Sequence, residues 1–536
     1  MLIAAPCKVC EHDSRLLAVV VSLPVECCKI LLFVCMQKPQ FMVRFKCQKD
    51  LLNRRKFNVA VPRAALEDVV TTRYEETQAE EPTTPRIKPA EIDSEKFKEH
   101  WSVEFWRNFS AKEPLAKVLD ESSAVSDRLA ALQDTLSKAL SSSEVLQNTE
   151  AAQYWLYHLV RSGFFSAQAI FGLAFARAAA NRSSRSTETL TRMEAVARNG
   201  WQGPLAEACF AYYQDYGNIK EGKYILPWDM TTTSHRQFNP FYVSRKAFAF
   251  GQEATETLRR REQGKTENVW LKSFNVPEYF QSTFHYQTDG WMSAKSAGVY
   301  ESSTETLFVG RQDAMQRTTL LLLSDYMKGK DASQMTALEV ACGTGRFATF
   351  LKDNYPTLDL TLTDLSPFYL AEARSNMRYW KSKRSPTLSL PGVDGNGTSF
   401  VQTPAEDLDI PSESMDIVYS NYLFHELPSD VREKAAKELS RALKPGGILI
   451  LTDSVQLGDR ASMDAALGNF GDFNEPYYRD YIECDLGSIF ENAGLVCDYK
   501  AVSSTTKSLS FRKQDASKEM DQNAASVIEP EIINNN

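Results

Sequence analysis

From Leu338 to Phe347 the chain reads LEVACGTGRF: an apolar strand with an acidic residue inside it, two glycines one residue apart, and at once a helical pattern. That order belongs to a parallel α/β sheet in which a strand feeds a tight turn and the turn opens a helix. Gly343 and Gly345 carry no side chain to keep a ligand off the backbone, and both tolerate φ > 0. The amides at the start of the helix then face whatever binds there. Gly343, Gly345 and Ala348 also satisfy the loose G-x-G-x-x-G/A dinucleotide pattern, so the turn alone admits two kinds of ligand.

Glu339 helps to separate them. It stands four residues before the first glycine, at the mouth of the turn, where a carboxylate repels a pyrophosphate but suits an ammonium and a sulfonium, as carried by S-adenosylmethionine. A second strand, Leu358 to Leu362, leads to Asp364 and Leu365, and the Asp364 carboxylate is placed to accept ribose hydroxyls. Both cofactors need that acid, so it does not discriminate.

Three further signals follow in order. Phe400 to Leu408 (FVQTPAEDL) reads as a strand and a turn in which Glu406 and Asp407 can meet an adenine. Met415 to Leu423 (MDIVYSNYL) reads as a fourth strand, with Asn421 and Tyr422 at its carboxyl end. Leu443 to Asp453 (LKPGGILILTD) reads as a helix end, a proline and glycine turn and a fifth strand. Over roughly residues 280 to 512 the chain therefore resembles the class I S-adenosylmethionine-dependent methyltransferases of the ubiquinone-biosynthesis-like, methyltransferase type 11 group. The resemblance implies an α/β fold with a Rossmann-like seven-stranded sheet whose last strand is antiparallel, and S-adenosylmethionine as cofactor. The implied cofactor residues are Glu339, Ala341, Gly343, Gly345, Asp364, Leu365, Glu406, Asp407, Asn421 and Tyr422. Ala341 is a departure, since the commonest family pattern has glycine there. The region from Val269 to Arg317 is also similar to a subgroup of cyanobacteria and plastids.

The candidate base is His425, in the loop SNYLFHELP after the fourth strand, because an imidazole titrates near neutral pH. Its bland alternative is a histidine that only starts a helix, and Glu426 is a second candidate. Aromatic residues before the first core strand, Phe284, His285, Tyr286, Trp291 and Tyr300, read as a lid by analogy with related methyltransferases, or simply as a packing stripe. The insertion FNEPYYRDY resembles an amino-methyltransferase motif but follows the wrong strand; Tyr477, Tyr478 and Arg479 remain candidate substrate contacts.

At 536 residues and 43% apolar, the chain can bury more than one core. The organisation reads as a targeting leader over 1–60, a linker over 61–95, a helical N-terminal domain over 96–275, the methyltransferase domain over 276–512 and a disordered tail over 513–536. Helical periodicity runs through Ala124 to Leu140, Ala151 to Ala180 and Tyr242 to Arg261, and the second of these is apolar enough to be buried on most of its circumference. Its His158 reads as a core histidine. Tyr224 to Phe241 reads as an irregular segment that packs these helices onto the catalytic part.

The first 60 residues hold ten Lys and Arg against four Asp and Glu, although the whole chain carries a net charge of −8. A plastid leader is the reading, with mitochondrion or cytoplasm as alternatives, and Glu26 and Lys29 interrupt the apolar run Leu16 to Met36, so no stable membrane span is expected. The acidic balance counts against a nucleic-acid partner. Cys7 and Cys10 form one C-x-x-C pair without a second at zinc-like spacing, so no metal site is expected. The functional expectation is methyl transfer to a small-molecule metabolite; the alternatives are a protein methyltransferase and a non-catalytic cofactor-binding assembly factor.

Overall fold

The computed structural model describes residues 97–109, 148–180, 202–262, 276–281, 287–384, 397–468 and 475–513, with four strands before residue 48. The chain divides into two compact units, Met1–Ile87 and Lys88–Asn536. In the first, β1 (Leu2–Ile3) pairs antiparallel with β2 (Val20–Val21), and β3 (Ile30–Gln37) forms a hairpin with β4 (Gln40–Cys47) in register from Ile30↔Cys47 to Gln37↔Gln40. Most of the run read as a leader, the linker, the helix expected at Ala124 to Leu140 and the tail lie outside the described residues.

The second unit is built on an eight-stranded sheet in the order β5-β11-β12-β10-β9-β6-β7-β8. Its parallel centre comprises β6 (Thr336–Val340), β7 (Asp359–Asp364), β8 (Thr398–Gln402), β9 (Met415–Asn421) and β10 (Leu443–Ser454). β12 (Thr506–Lys513) runs antiparallel to both β10 and β11 (Leu495–Ser503). This is the expected layout with one correction: an eighth strand, β5 (Lys98–Glu99), adds to the edge beside β11. An open edge presents unpaired backbone groups, and His100 N–H donates to the Lys500 carbonyl at 2.8 Å to cover part of it.

Strand burial explains why the central run is continuous in apolar residues. Ala337 and Leu360 face one core and Leu338, Val418 and Leu449 the other, because both faces of the sheet are covered. In the helix Pro367–Arg384, Arg384 Nε donates to Asp353 Oδ1 at 2.7 Å.

Among the described residues, the helices after α1 (Trp101–Asn108) share the core of the sheet. α2 (Thr149–Ala180), α3 (Gln202–Lys220), α4 (Trp228–Thr231) and α5 (Pro240–Glu262) precede α6 (Ala294–Leu307), α7 (Gln312–Gln316) and α8 (Thr318–Met327). Tyr154, Tyr212 and Trp228 share one hydrophobic cluster with Leu321, Phe347 and Ile417 of the catalytic part. The domain drawn at 96–275 is thus a cover whose interior side is the sheet's own core. α2 also differs from its expected all-round burial. Tyr154, His158, Ser162 and Phe165 are buried at helical spacing, while Leu156 and Val160 on the other face are exposed. His158 stacks on Tyr212 with ring centroids 4.0 Å apart, and neither ring nitrogen has a hydrogen-bond partner. Burial, followed by Arg317 and Arg161, lowers its pKa well below the usual value, so it is a neutral packing residue.

Buried ion pairs fasten the cover. Arg346, in the first turn of α9 (Arg346–Asn354), binds Asp229 at 2.5 Å and Asp313 at 2.7 Å; Arg161 of α2 reaches Glu305 at 2.7 Å and Asp313 at 3.1 Å. Arg317 grips Asp215 with Nε and Nη2 at 2.9 and 2.5 Å. The irregular Tyr224 to Phe241 segment docks as expected, Trp228 Nε1 donating to Thr349 Oγ1 at 3.1 Å.

Candidate active site

The glycine turn leaves β6 through two left-handed residues and a third at the helix cap. Ala341 has φ +57°, Gly343 +55° and Gly345 +68°. The value at Ala341 explains why glycine suits that position, since an L-residue there costs about 1–2 kcal/mol. Gly345 is required for a different reason. A Cβ on it would lie 3.0 Å from the Ala373 Cβ of α10 (Pro367–Arg384), so its bareness lets two helices close up behind the turn. Asp364 ends β7 and is anchored to the backbone: Gly343 N–H donates to Oδ2 at 2.9 Å and Ser366 N–H to Oδ1 at 2.8 Å. Its first role is to shape the turn. Burial raises its pKa to about 6, against the lowering pull of those amides. Leu365 follows, half-buried, its carbonyl accepting from Gln402.

Glu339 is 2% exposed and accepts from Tyr419 Oη at 3.1 Å. It makes no ion pair among the described residues, and burial raises its pKa to about 8. Asn421 accepts from Thr319 Oγ1 at 2.8 Å, while its buried Nδ2 meets no acceptor in hydrogen-bond geometry. Tyr422 has φ +56°, which ends β9 two residues before the expected Leu423, and its Oη pairs with Thr506 Oγ1 at 2.7 Å. On the other side of the turn, both Glu406 oxygens accept from Tyr279 Oη at 2.8 Å, and Asp407 is exposed.

Next to this turn lies a cleft of about 560 Å³, counting its solvent-open space; Tyr300, Tyr422, His425, Glu426, Glu475 and Tyr478 are among the residues that line it. Tyr300 links the two places. Its ring edge lies 4.0 Å from where a Cβ on Gly343 would stand, and the same ring walls the cleft. Trp291 lies tilted beside it, 6.1 Å between centroids, and accepts from Ser366 Oγ through its carbonyl, so this part of the expected lid does sit over the Asp364 loop. Phe284, His285 and Tyr286 lie outside the described residues. Of the late insertion, Tyr478 lines the cleft and Tyr477 is half-buried. Arg479 is exposed and donates to the Gly468 carbonyl at 3.2 Å, away from the lining residues.

His425 lies in the short 3-10 turn Phe424–Glu426 and is 7% exposed. Its Nδ1 pairs with Asp453 Oδ1 at 2.5 Å, and Nε2 lies 3.3 Å from Glu426 Oε1. Asp453, fully buried at the carboxyl end of β10, also accepts from the Phe424 and Ser454 amides at 2.7 Å each. Burial disfavours charge on the imidazole, but Asp453 and Glu426 outweigh it and raise its pKa well above the ordinary value. Burial in turn raises Glu426, and raises Glu475 strongly with a further push from Glu426. The lone neutral imidazole expected from sequence is therefore one member of a proton-sharing cluster. Asp453, Glu475 and Gln312 received no role in the sequence reading. For Asp453 the available signal was an acid at the carboxyl end of a core strand; for the other two there was none.

A glycine turn at the carboxyl end of the first parallel strand, an acid at the end of the second and an antiparallel strand, β12, beside β10 are features of class I, S-adenosylmethionine-dependent methyltransferase domains. Residues 338–451 match the family model described as "Methyltransferase domain". Among curated relatives, the chain is 30% identical over 127 residues to a malonyl-[acyl-carrier protein] O-methyltransferase of Paenibacillus sp., covering 23% of this chain and 40% of the relative. It is 32% identical over 125 residues to the 2-methyl-6-phytyl-1,4-hydroquinone methyltransferase of Synechocystis sp., covering 23% and 34%. It is 26% identical over 208 residues to the human tRNA N(3)-cytidine methyltransferase METTL2B, covering 36% and 50%. The chain thus spans half or less of the length of these relatives. A solved structure of a SAM-dependent methyltransferase from Aquifex aeolicus aligns at 18% identity and a TM-score of 0.27, covering 37% of this chain and 93% of that one.

The residues present fit S-adenosylmethionine. Glu339 offers a buried carboxylate that makes no ion pair among the described residues, and Gly343 a left-handed glycine whose Cβ position would touch only the Tyr300 ring edge, at 4.0 Å.

Proposed function

We propose that the protein is an S-adenosylmethionine-dependent methyltransferase that acts on a small-molecule metabolite held in the Tyr300 and His425 cleft. The observation that carries this reading is the position of Tyr300, which borders both the glycine turn and the cleft, so the two are neighbouring chambers separated by one aromatic ring. None of the residues lining the cleft is Lys or Arg, and the buried Glu426 and Glu475 would repel a phosphate backbone. That favours a metabolite over an RNA, although some relatives are tRNA enzymes.

When bound, S-adenosylmethionine supplies a methyl group on a sulfonium, which leaves as a neutral thioether. Glu339, the Gly343 backbone and Asn421 would hold it, with Asp364 fixing the turn. Tyr300, Trp291 and Tyr422 exclude water and fix the relative placement of two ligands, an effect that can supply about 7–11 kcal/mol. His425, oriented through Nδ1 by Asp453, presents Nε2 on the cleft side. Because its acids hold the imidazole protonated, the Glu426 carboxylate paired with it is the group that would take a proton from the accepting atom. For the leader we keep the plastid reading, which its basic charge supports.

The test is incubation of the full chain with methyl-labelled S-adenosylmethionine and fractionated extract of the source organism. Label in a small organic-soluble or polar metabolite supports the proposal. Label in protein or RNA replaces it with a macromolecular substrate, and no label despite cofactor binding replaces it with a non-catalytic factor.

A further inference from the structure

We propose that His425, Glu426 and Glu475 form a binding site for one divalent first-row metal ion in the wall of the cleft. His425 contributes a ring nitrogen and each glutamate one oxygen, and the three ligand atoms lie within 4.8 Å of one another. The imidazole is already arranged as a metal-binding histidine usually is. Its Nδ1 is tied to the buried carboxylate of Asp453, which leaves Nε2 as the ligand atom and fixes the ring plane. A second observation points the same way independently of these acids. Gln312 is 4% exposed, lines the same cleft, and has a buried Oε1 with no hydrogen-bond partner. A neutral amide oxygen is of the donor type that a hard cation takes.

One nitrogen and several oxygens suit Mn²⁺, Fe²⁺ or Zn²⁺ better than a soft ion, and three protein ligands leave coordination positions open toward the cleft. The cysteine spacing gave no hint of this, because Glu475 comes fifty residues after His425 and joins it only through the fold.

The inference stands whether or not the cluster also moves a proton. If the ion is present, Nε2 is a ligand and a substrate oxygen would meet the metal instead of the imidazole. The experiment uses the full chain, stripped with a chelator and dialysed, then titrated with Mn²⁺ while the free-ion electron paramagnetic resonance signal is followed. One ion per chain is expected, with affinity lowered at least tenfold in both His425→Ala and Glu475→Gln. Circular dichroism and S-adenosylhomocysteine affinity are measured on the same samples, so loss of fold or of the cofactor site is distinguished from loss of the metal. Absence of stoichiometric binding to the unaltered chain overturns the proposal. So does binding that the two variants leave unchanged while their fold is intact.

Discussion

The two ends of the active site are built by different means. At the glycine turn, an acid is tied to backbone: Asp364 holds the amides of Ser366, two residues on, and of Gly343, 21 residues back. In the cleft, side chains are tied to side chains across longer separations, His425 to Asp453 over 28 residues, with Glu475 arriving from a late insertion. The first arrangement fixes a shape that accepts one cofactor. The second concentrates charge whose protonation sets what the site can do.

Substitutions can break this contrast. His425→Ala should lower methyl transfer about 10²–10⁴-fold while leaving S-adenosylhomocysteine affinity within about twofold, as read by turnover and calorimetry. Loss of cofactor affinity in that variant would mean that the two ends are one unit. Asp364→Ala should act oppositely. It leaves two buried amides without their acceptor, at about 1–3 kcal/mol each, and should weaken S-adenosylhomocysteine binding by one to two orders of magnitude. Normal affinity would remove Asp364 from the cofactor site.

A pH series sharpens the comparison further. The pKa of Glu339 is raised to about 8 by burial, and a cationic ligand prefers its ionised form. S-adenosylmethionine affinity should therefore rise about tenfold per pH unit up to about 8 and then level, and Glu339→Gln should flatten the profile between pH 6 and 8. The same raised pKa has the opposite effect on the ligand-free fold. Its contribution is fully present below about 4.5, the ordinary value, and is lost as pH climbs through 8, so thermal stability of Glu339→Gln should fall less over that window. The smallest effect is expected at Ala341→Gly. Relief of the left-handed alanine is offset by the greater chain entropy of glycine, and the melting temperature should correspond to a change of no more than about 1 kcal/mol.

The same contrast decides what could be read from the sequence. Strand, turn and helix around Gly343, and the acids at Glu339 and Asp364, are local patterns in which spacing along the chain equals position in space. The parallel centre of the sheet was legible for that reason. β5 was not, since two residues at an edge have no periodicity and are recruited only because β11 leaves backbone groups to satisfy. Ala341 gave its identity but not its strain. His425 was visible as a titratable residue after a strand, whereas its elevated pKa depends on Asp453, which in sequence is only the last residue of an apolar run. Arg479, an anion-contact candidate by composition, is exposed and donates to the Gly468 carbonyl.

The Arg346 pairs have a consequence for how the molecule comes apart. Asp229 belongs to the cover and Asp313 to α7 ahead of the sheet, and the guanidinium that joins them sits on the first helix of the catalytic sheet, so the cover cannot leave without stranding buried charge. Heating should therefore give the cover and the sheet a single shared calorimetric transition.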